Sequence, residues 1–188
     1  MKTMLKAMKK KQSGIPEDIL PVFEDIIQKY EALGSPSLGP ECDEEFGKAM
    51  NELLTKEQRF RLYEQEGACK GTGHDKERKA FALEHAHRPL AERLELFTKT
   101  YGRKAVLNDD NTITVTFVCT HGYYKQAREG KHLSLPLSIE SYFERCAGGR
   151  LYEYQKALGI KLNIKSVDIS PLSENMTNPV VFTFEIVG

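Results

Sequence analysis

The sequence predicts an α+β fold in which N-terminal helices pack on one face of a four-stranded antiparallel sheet. Three observations support this prediction. Apolar residues at helical spacing continue as far as Gly102, the spacing then changes to the alternation that is typical of strands, and two more alternating segments end the chain behind one long helical segment. The core is therefore expected to follow the order strand, strand, helix, strand, strand.

The first predicted helix lies in GIPEDILPVFEDIIQKYEALG, residues 14–34. Pro16 suits a first helical turn, Pro21 is expected to bend the helix or delay its start, and Gly34 ends it. The basic segment KAMKKKQ, residues 6–12, is expected to be a mobile tail in front of this helix. The apolar residues at helical spacing are Ile19, Val22, Phe23, Ile26 and Ile27.

A loop or linker is predicted in SPSLGPECD, residues 35–43, because three glycine or proline breakers fall within it. Cys42 would lie in or beside this loop. We therefore divide the chain into residues 1–40, a basic tail with an N-terminal helix and a linker, and residues 41–188, a single α+β domain.

Four further helices are expected before the sheet. Residues 43–54 form the first of them, and Thr55 with Gln58 makes the capping box that begins the next. After a glycine-rich interruption, another helix begins at residues 74–75, and Pro89 separates it from the last. The apolar face of that last helix is formed by Leu90, Leu94 and Phe97.

The segment KAVLNDDNTITVTFVC, residues 104–119, predicts a strand, a turn of Asn and Asp residues, and a second strand. Alternation in the second strand places Cys119 on the side that faces the core. His121 shares this side if the strand direction persists for two more residues. A thiol and an imidazole would then both point inward.

Ser138 can cap a helix that continues to Leu158. Gly148 and Gly149 lie in its middle, and each glycine in a helix interior costs about 0.5–1 kcal/mol relative to alanine. Either two helices meet at this pair of glycines, or another group approaches the backbone closely.

Two predicted strands end the chain, at residues 160–170 and 179–188. Alternation breaks from Ser166 to Ile169, which predicts a bulge or a local twist. Such a bulge would help the sheet to curve around a pocket.

Composition excludes several classes of protein. Lys plus Arg and Asp plus Glu are equal at 27 each, so no overall positive field favours nucleic acid. No window approaches the roughly 18 continuous apolar residues of a membrane span, and the N-terminal segment lacks the apolar run of a signal peptide. We expect a cytoplasmic protein whose four cysteines are reduced, leaving them for packing, metal binding or catalysis.

Cys69, Cys119, His121 and Cys146 form the candidate metal site, with His74 as a spare ligand. Sulfur and nitrogen ligands in a tetrahedral array suit zinc, and these residues come from a loop, a strand end and a helix. The alternative is that the buried cysteines pack as small hydrophobic residues.

Covalent catalysis is a second hypothesis, in which Cys119 or Cys146 is the nucleophile and its thiolate is favoured either by His121 as a base or by the start of a helix after Gly149. A third is a small-molecule pocket with no catalytic step. In that pocket Arg150 would hold a carboxylate or a phosphate beside the backbone of Gly148 and Gly149, at the start of a new helix. Phenols that pair an apolar ring with a polar hydroxyl would line it, chiefly Tyr123 and Tyr142.

CTHGYY, residues 119–124, and SYFERCAGGRLYEYQKALGIKLNIKSVDIS, residues 141–170, resemble an uncharacterised bacterial family of cysteine-motif proteins. In that family a C-x-C stretch ends one strand, a C-x-C-S-x-G stretch opens a helix, and a strand ending in Ser follows. The segments are more remotely similar to 4-vinyl-reductase-like sensor domains and to L-2-amino-thiazoline-4-carboxylic acid hydrolase-like proteins. EQEGACKGTG, residues 64–73, matches the upstream cysteine of the family, so the resemblance covers residues 45–188.

This resemblance places Cys69, Cys119 and Cys146 at family cysteines. His121 stands where the second cysteine of the first pair is expected, and Glu144 where the first of the second pair is expected. Exchanging cysteine for histidine or glutamate replaces one type of metal ligand by another, which implies a metal or polar site. The closing segment SPLSENMTNPVVFTFEI lacks the glycine and cysteine that the sensor and hydrolase relatives carry, so neither their metal site nor their activity transfers.

We therefore expect a domain that binds or senses a small organic molecule in a pocket near Cys119, His121 and Cys146. The first alternative is a hydrolase of a small carboxylated substrate that uses zinc or a cysteine nucleophile. The second is a structural or interaction module, which an exposed apolar face from Ile19 to Ile27, paired with a second chain as a homodimer, would indicate.

Overall fold

The computed structural model describes residues 1–34, 39–102, 104–119, 139–169 and 179–187. Within these ranges the chain forms seven α-helices and one four-stranded antiparallel sheet, so the predicted α+β fold is confirmed. None of the helices in these ranges has an apolar stretch long enough to cross a bilayer. The helices are α1 (Lys2–Met8), α2 (Leu20–Ala32), α3 (Gly39–Leu53), α4 (Lys56–Glu66), α5 (Asp75–Glu84), α6 (Leu90–Tyr101) and α7 (Ile139–Leu158). The strands are β1 (Lys104–Leu107), β2 (Thr112–Phe117), β3 (Lys161–Asp168) and β4 (Val180–Val187).

Contacts between residues group the chain into two compact units. The first unit comprises Met1–Ala68 and Leu135–Gly148, and the second comprises Cys69–Ser134 and Gly149–Gly188. The boundary between them falls within α7, after Gly148. The predicted division of the chain at residue 40 stays a prediction.

In the first unit, the basic N-terminal segment begins as a helix. The expectation of a mobile tail was wrong for residues 2–8, because α1 buries Met4, Ala7 and Met8 on one face. Their spacing of three and four residues is the spacing of a helical face, and it was hidden by the lysines around it. Lys9 also forms an ion pair with Glu24, at 2.5 Å.

Helix α2 begins later than the first predicted turn, since Glu17–Ile19 forms a 3-10 turn and α2 starts at Leu20. Pro21 rather than Pro16 therefore lies in the first turn of α2, and the later start is one of the two effects predicted for Pro21. Phe23 is fully buried, and its ring centroid lies 4.8 Å from that of Phe46 on α3. Cys42, expected in or beside a loop, lies instead inside α3 and is fully buried, which raises the pKa of its thiol.

The predicted capping box at the start of α4 is confirmed. The Thr55 hydroxyl accepts a hydrogen bond from the backbone N–H of Gln58, and the side-chain oxygen of Gln58 accepts one from the N–H of Thr55. Two backbone donors at the helix start are satisfied in this way.

In the second unit, the spatial order of the strands is β1-β2-β4-β3. The last strand of the chain is therefore central, between β2 and β3, and all neighbours are antiparallel. An irregularity in the β3–β4 register lies between Ile164 and Ser166, at the N-terminal end of the predicted break.

One face of the sheet forms the core of the second unit. Buried residues on this face include Ile113, Val115, Phe182 and Phe184, which alternate along β2 and β4 as predicted. The fully buried ring of Tyr154 on α7 packs against this face, with its centroid 6.3 Å from that of Phe184. Cys119 follows β2 and is buried, in agreement with its predicted inward direction.

Candidate functional site

The predicted site residues are divided between the two units. Cys69, Cys119, Gly149 and Arg150 belong to the second unit, whereas Tyr142, Cys146 and Gly148 belong to the first. Cys119 and Cys146 are buried and Cys69 is exposed. His121 and Tyr123 lie outside the described residues. The predicted convergence of the cysteines with His121 stays a prediction.

Across the described residues there is no group of three or more histidine, cysteine, aspartate or glutamate side chains that could hold a metal ion. His121, which was part of the predicted zinc site, lies beyond those residues. The zinc hypothesis and the catalytic roles of Cys119, His121 and Cys146 therefore stay predictions.

Arg150 is the predicted ligand-binding residue whose surroundings are best defined. Its guanidinium is buried, and Nη1 donates to Oε2 of Glu153 at 2.5 Å. The other oxygen of Glu153 accepts from Nη2 of Arg78 at 3.1 Å. One buried carboxylate is thus shared by two buried arginines, an arrangement in which each partner compensates the desolvation of the others.

The same two arginines hold a loop that follows α4. Nη2 of Arg150 donates to the carbonyl oxygen of Cys69 at 2.7 Å. Nη1 of Arg78 donates to the carbonyl oxygens of Lys70 and Gly71 at 2.8 and 3.0 Å. Three consecutive carbonyl groups are therefore bound by charged donors, which make stronger hydrogen bonds than neutral ones.

This loop has an unusual backbone conformation. Cys69 has a φ of 56° and Gly71 a φ of 58°, so both lie in the left-handed region. Glycine adopts that region without a steric penalty, whereas for cysteine the Cβ atom approaches the backbone too closely. Cys69 is therefore a strained residue whose conformation depends on the contacts around it.

An aromatic ring completes the surroundings of Arg150. The Cζ atom of Arg150 lies 5.7 Å from the centre of the Phe117 ring. Phe117 lies at the end of β2, two residues before Cys119. That ring also stacks on Phe182, with centroids 5.2 Å apart. A buried cation beside an aromatic ring is a favourable arrangement, and it offers a cationic and an apolar partner to a ligand.

A tyrosine with a defined polar contact lies on the same helix as Arg150. The Tyr152 hydroxyl donates to Oδ2 of Asp75 at 2.5 Å, and this hydrogen bond raises the pKa of Tyr152. Lys70 and Lys156 lie 5.5 and 5.4 Å from the centre of its ring. Tyr142, the described phenol of the predicted pocket, is half-buried and packs edge-on against Phe143.

The two glycines within α7 do not mark a junction between helices. Helix α7 runs without interruption from Ile139 to Leu158, so the predicted helix start after Gly149 was wrong and no helix N-terminus lies beside Arg150. The alternative explanation, that another group approaches the backbone closely, is correct for Gly148, because a Cβ atom there would lie 2.0 Å from the carbonyl oxygen of Tyr63. Gly148 is therefore required by a close approach of two helix backbones.

Sequence reasoning missed a buried ion pair in the first unit. Both carboxylate oxygens of Glu144 accept hydrogen bonds from Arg59, at 2.7 and 2.9 Å. The family resemblance had placed Glu144 at a ligand position, but here its carboxylate neutralises an arginine. Close by, the Tyr63 hydroxyl is hydrogen bonded to that of Ser141, and burial raises the pKa of Tyr63.

Glu153 and Arg78 were also missed in the second unit. A signal was present for Glu153, because it lies three residues after Arg150 and so shares a helix face with it. Arg78 lies 75 residues from Glu153 along the chain, and no local pattern connects them.

No family model matches the sequence, and neither a curated protein nor a solved structure matches it significantly. The resemblance to cysteine-motif proteins therefore stays a prediction, and the contacts around Arg150 are the features of the chain that bear on its function.

Proposed function

We propose that this protein binds or senses a small organic molecule that carries a carboxylate, at a site beside Arg150, Phe117 and Cys119. The observation that supports this proposal is the position of the buried Arg150 guanidinium next to the Phe117 ring. A planar guanidinium recognises a carboxylate through paired N–H donors, and the ring offers an apolar surface to the rest of the ligand. His121 and Cys146 remain predicted members of the site.

The guanidinium of Arg150 is oriented before any ligand arrives. Glu153 and the carbonyl oxygen of Cys69 accept from its two terminal nitrogens, which fixes the plane of the group. A fixed side chain loses little conformational entropy when it binds a ligand, so more of the interaction energy appears as affinity.

The charges around Arg150 favour a carboxylate over a phosphate. Glu153 lies in direct contact with Arg150 and carries a negative charge in a buried environment. The formal charges of the buried groups Arg78, Arg150 and Glu153 sum to +1, so a ligand of charge −1 would neutralise them, whereas a phosphate close to −2 would leave an excess buried negative charge. A monoanion with an apolar or aromatic body is therefore the proposed ligand class.

Benzoate is a suitable first probe, because it combines a carboxylate for Arg150 with a ring for Phe117. Titration calorimetry with the full chain is expected to show saturable binding of benzoate and none of benzamide, which has the same shape without the charge. Arg150→Lys is expected to weaken benzoate binding by about tenfold or more, equivalent to 1.4 kcal/mol, because lysine cannot present paired donors.

Arg78→Lys is the matched control. Arg78 contacts the same carboxylate and the same loop, but it is Arg150 that lies over Phe117. The loss of affinity in Arg78→Lys should therefore be clearly smaller than in Arg150→Lys. Equal losses in both variants, or the absence of benzoate binding to the wild-type chain, would contradict the proposal.

Among the described residues, no contact supports either of the other two functions. The interaction module was linked to an exposed apolar face from Ile19 to Ile27; Val22 on that face is exposed, at 42%, but Phe23, Ile26 and Ile27 are buried within the first unit. The hydrolase, the homodimer and the cytoplasmic location stay predictions.

A further inference from the structure

We infer that the loop Cys69–Gly71 is a strained latch, held in its left-handed conformation by Arg150, and that occupation of Arg150 by a ligand releases it. This inference rests on the proposed function, because it names what a bound carboxylate would change. It concerns regulation of that same site, and the latch can be measured without any ligand.

The strain in the latch is located at Cys69. Its φ of 56° is one of two positive φ values at residues other than glycine among the described residues, the other being Asn111 in the β1–β2 turn. Asparagine adopts this conformation more readily than most residues, and the side chain of Asn111 also donates to the carbonyl oxygen of Ile186 on β4. Cysteine has no such compensation, so an outside contact must stabilise the conformation.

The contact at the strained residue is the hydrogen bond from Arg150 to its carbonyl oxygen. Arg78 holds the next two carbonyl groups, which anchors the far side of the loop independently of Arg150. The Cβ of any residue at position 71 would lie 3.1 Å from Arg78, so Gly71 suits this anchor as well. Release of Arg150 would therefore leave one side of the loop fixed and allow Cys69 to relax.

Arg150 joins the ligand site to the latch. The same guanidinium lies over Phe117, pairs with Glu153 and holds Cys69. A ligand carboxylate that accepts from Nη2 of Arg150 competes with the carbonyl oxygen of Cys69 for that nitrogen, while Glu153 continues to orient the guanidinium through Nη1. Glu153 keeps its hydrogen bond from Arg78 while this happens, so the exchange leaves no buried charge unpaired.

The latch can be tested by comparing glycine with alanine at position 69 in two backgrounds. Glycine adopts a positive φ freely and alanine does not, so with Arg150 present Cys69→Gly should melt about 2–4 °C above Cys69→Ala. In an Arg150→Met background the loop can relax, and this difference should fall below about 1 °C. Methionine leaves Glu153 paired with Arg78.

Gly102→Ala is the control for the comparison between the backgrounds with and without Arg150. Gly102 has a φ of 64° at the end of α6 and open space around it, so alanine should lower the melting temperature equally with and without Arg150. If Arg150→Met does not fold, Arg150→Leu, which also lacks a donor for the Cys69 carbonyl oxygen, serves as the second background. An unchanged preference for glycine at position 69 after removal of Arg150, or no preference in the wild-type background, would overturn the latch.

Amide hydrogen exchange with benzoate separates the latch from the proposed function. If benzoate binds, exchange at the Ala68 amide, which precedes Cys69 and donates to the carbonyl oxygen of Arg145, should become faster by about tenfold, and binding without any change in this exchange would overturn the release step. If benzoate does not bind, the proposed function fails, whereas the comparison at position 69 still decides whether Arg150 holds the loop.

Discussion

Arg59→Leu is expected to lower the free energy of unfolding by about 3–5 kcal/mol, because it leaves the Glu144 carboxylate buried without its cation. Arg59 donates to both oxygens of Glu144 and also to the carbonyl oxygen of Leu54, at 3.0 Å. Both side chains of the pair are nearly inaccessible to water, with 8% and 2% of their surface exposed. Urea denaturation followed by circular dichroism measures this change.

A double variant and an exposed ion pair are the controls for this prediction. Arg59→Leu combined with Glu144→Leu should cost less than Arg59→Leu alone, since no buried charge remains. Lys48→Ala removes the exposed pair with Glu52 and should change stability by less than about 0.5 kcal/mol. A loss in Arg59→Leu as small as that in Lys48→Ala would contradict the buried pair.

Gly148→Ala is expected to destabilise the protein by about 3 kcal/mol, although alanine is the better helix former. The new Cβ would meet the carbonyl oxygen of Tyr63 at 2.0 Å and the Cα of Gly67 at 3.0 Å. Both are backbone atoms, which cannot rotate away as a flexible side chain can. The helix must therefore shift as a whole, and this shift disturbs the packing of the first unit.

Gly73→Ala is the matched control for this substitution. Gly73 has no neighbouring atom within 4 Å of the Cβ position and no positive φ. Alanine there should leave stability unchanged or raise it slightly, because it restricts the unfolded chain. Equal melting temperatures for Gly148→Ala and Gly73→Ala would contradict the close approach of the two backbones.

Local patterns in the sequence predicted most of the secondary structure. The capping box at Thr55 is a contact between residues three positions apart, so it can be recognised without knowledge of the fold. The alternation in β2 likewise predicted which of its side chains face the core. The position of β4 in the centre of the sheet depends on pairing between distant strands, and the sequence order of the elements does not reveal it.

The candidate site was predicted less completely, again because contacts between residues that are distant in the sequence determine part of it. Arg150 was chosen because a new helix was expected to start at the neighbouring glycines, but α7 is continuous there. Its partner Arg78 depends on a tertiary contact, whereas Glu153 lies three residues away on the same helix face and could have been predicted. The glycines were recognised as a feature that needs an explanation, and the structure supplied one at Gly148 that differs from ligand binding. Cys42 and α1 were misassigned because breakers and lysines masked residues that become buried.

The central claim is that a carboxylate ligand binds beside Arg150 and Phe117. Its most direct test is an NMR titration of the full chain with benzoate that follows the guanidinium signal of Arg150 and the ring signals of Phe117. Binding beside both groups predicts saturable shifts of these signals, with a midpoint near about 1 mM or below. The guanidinium of Arg93, which donates to the carbonyl oxygen of Leu158, should stay unchanged. Saturable shifts elsewhere in the chain, with Arg150 and Phe117 unaffected, would contradict the claim.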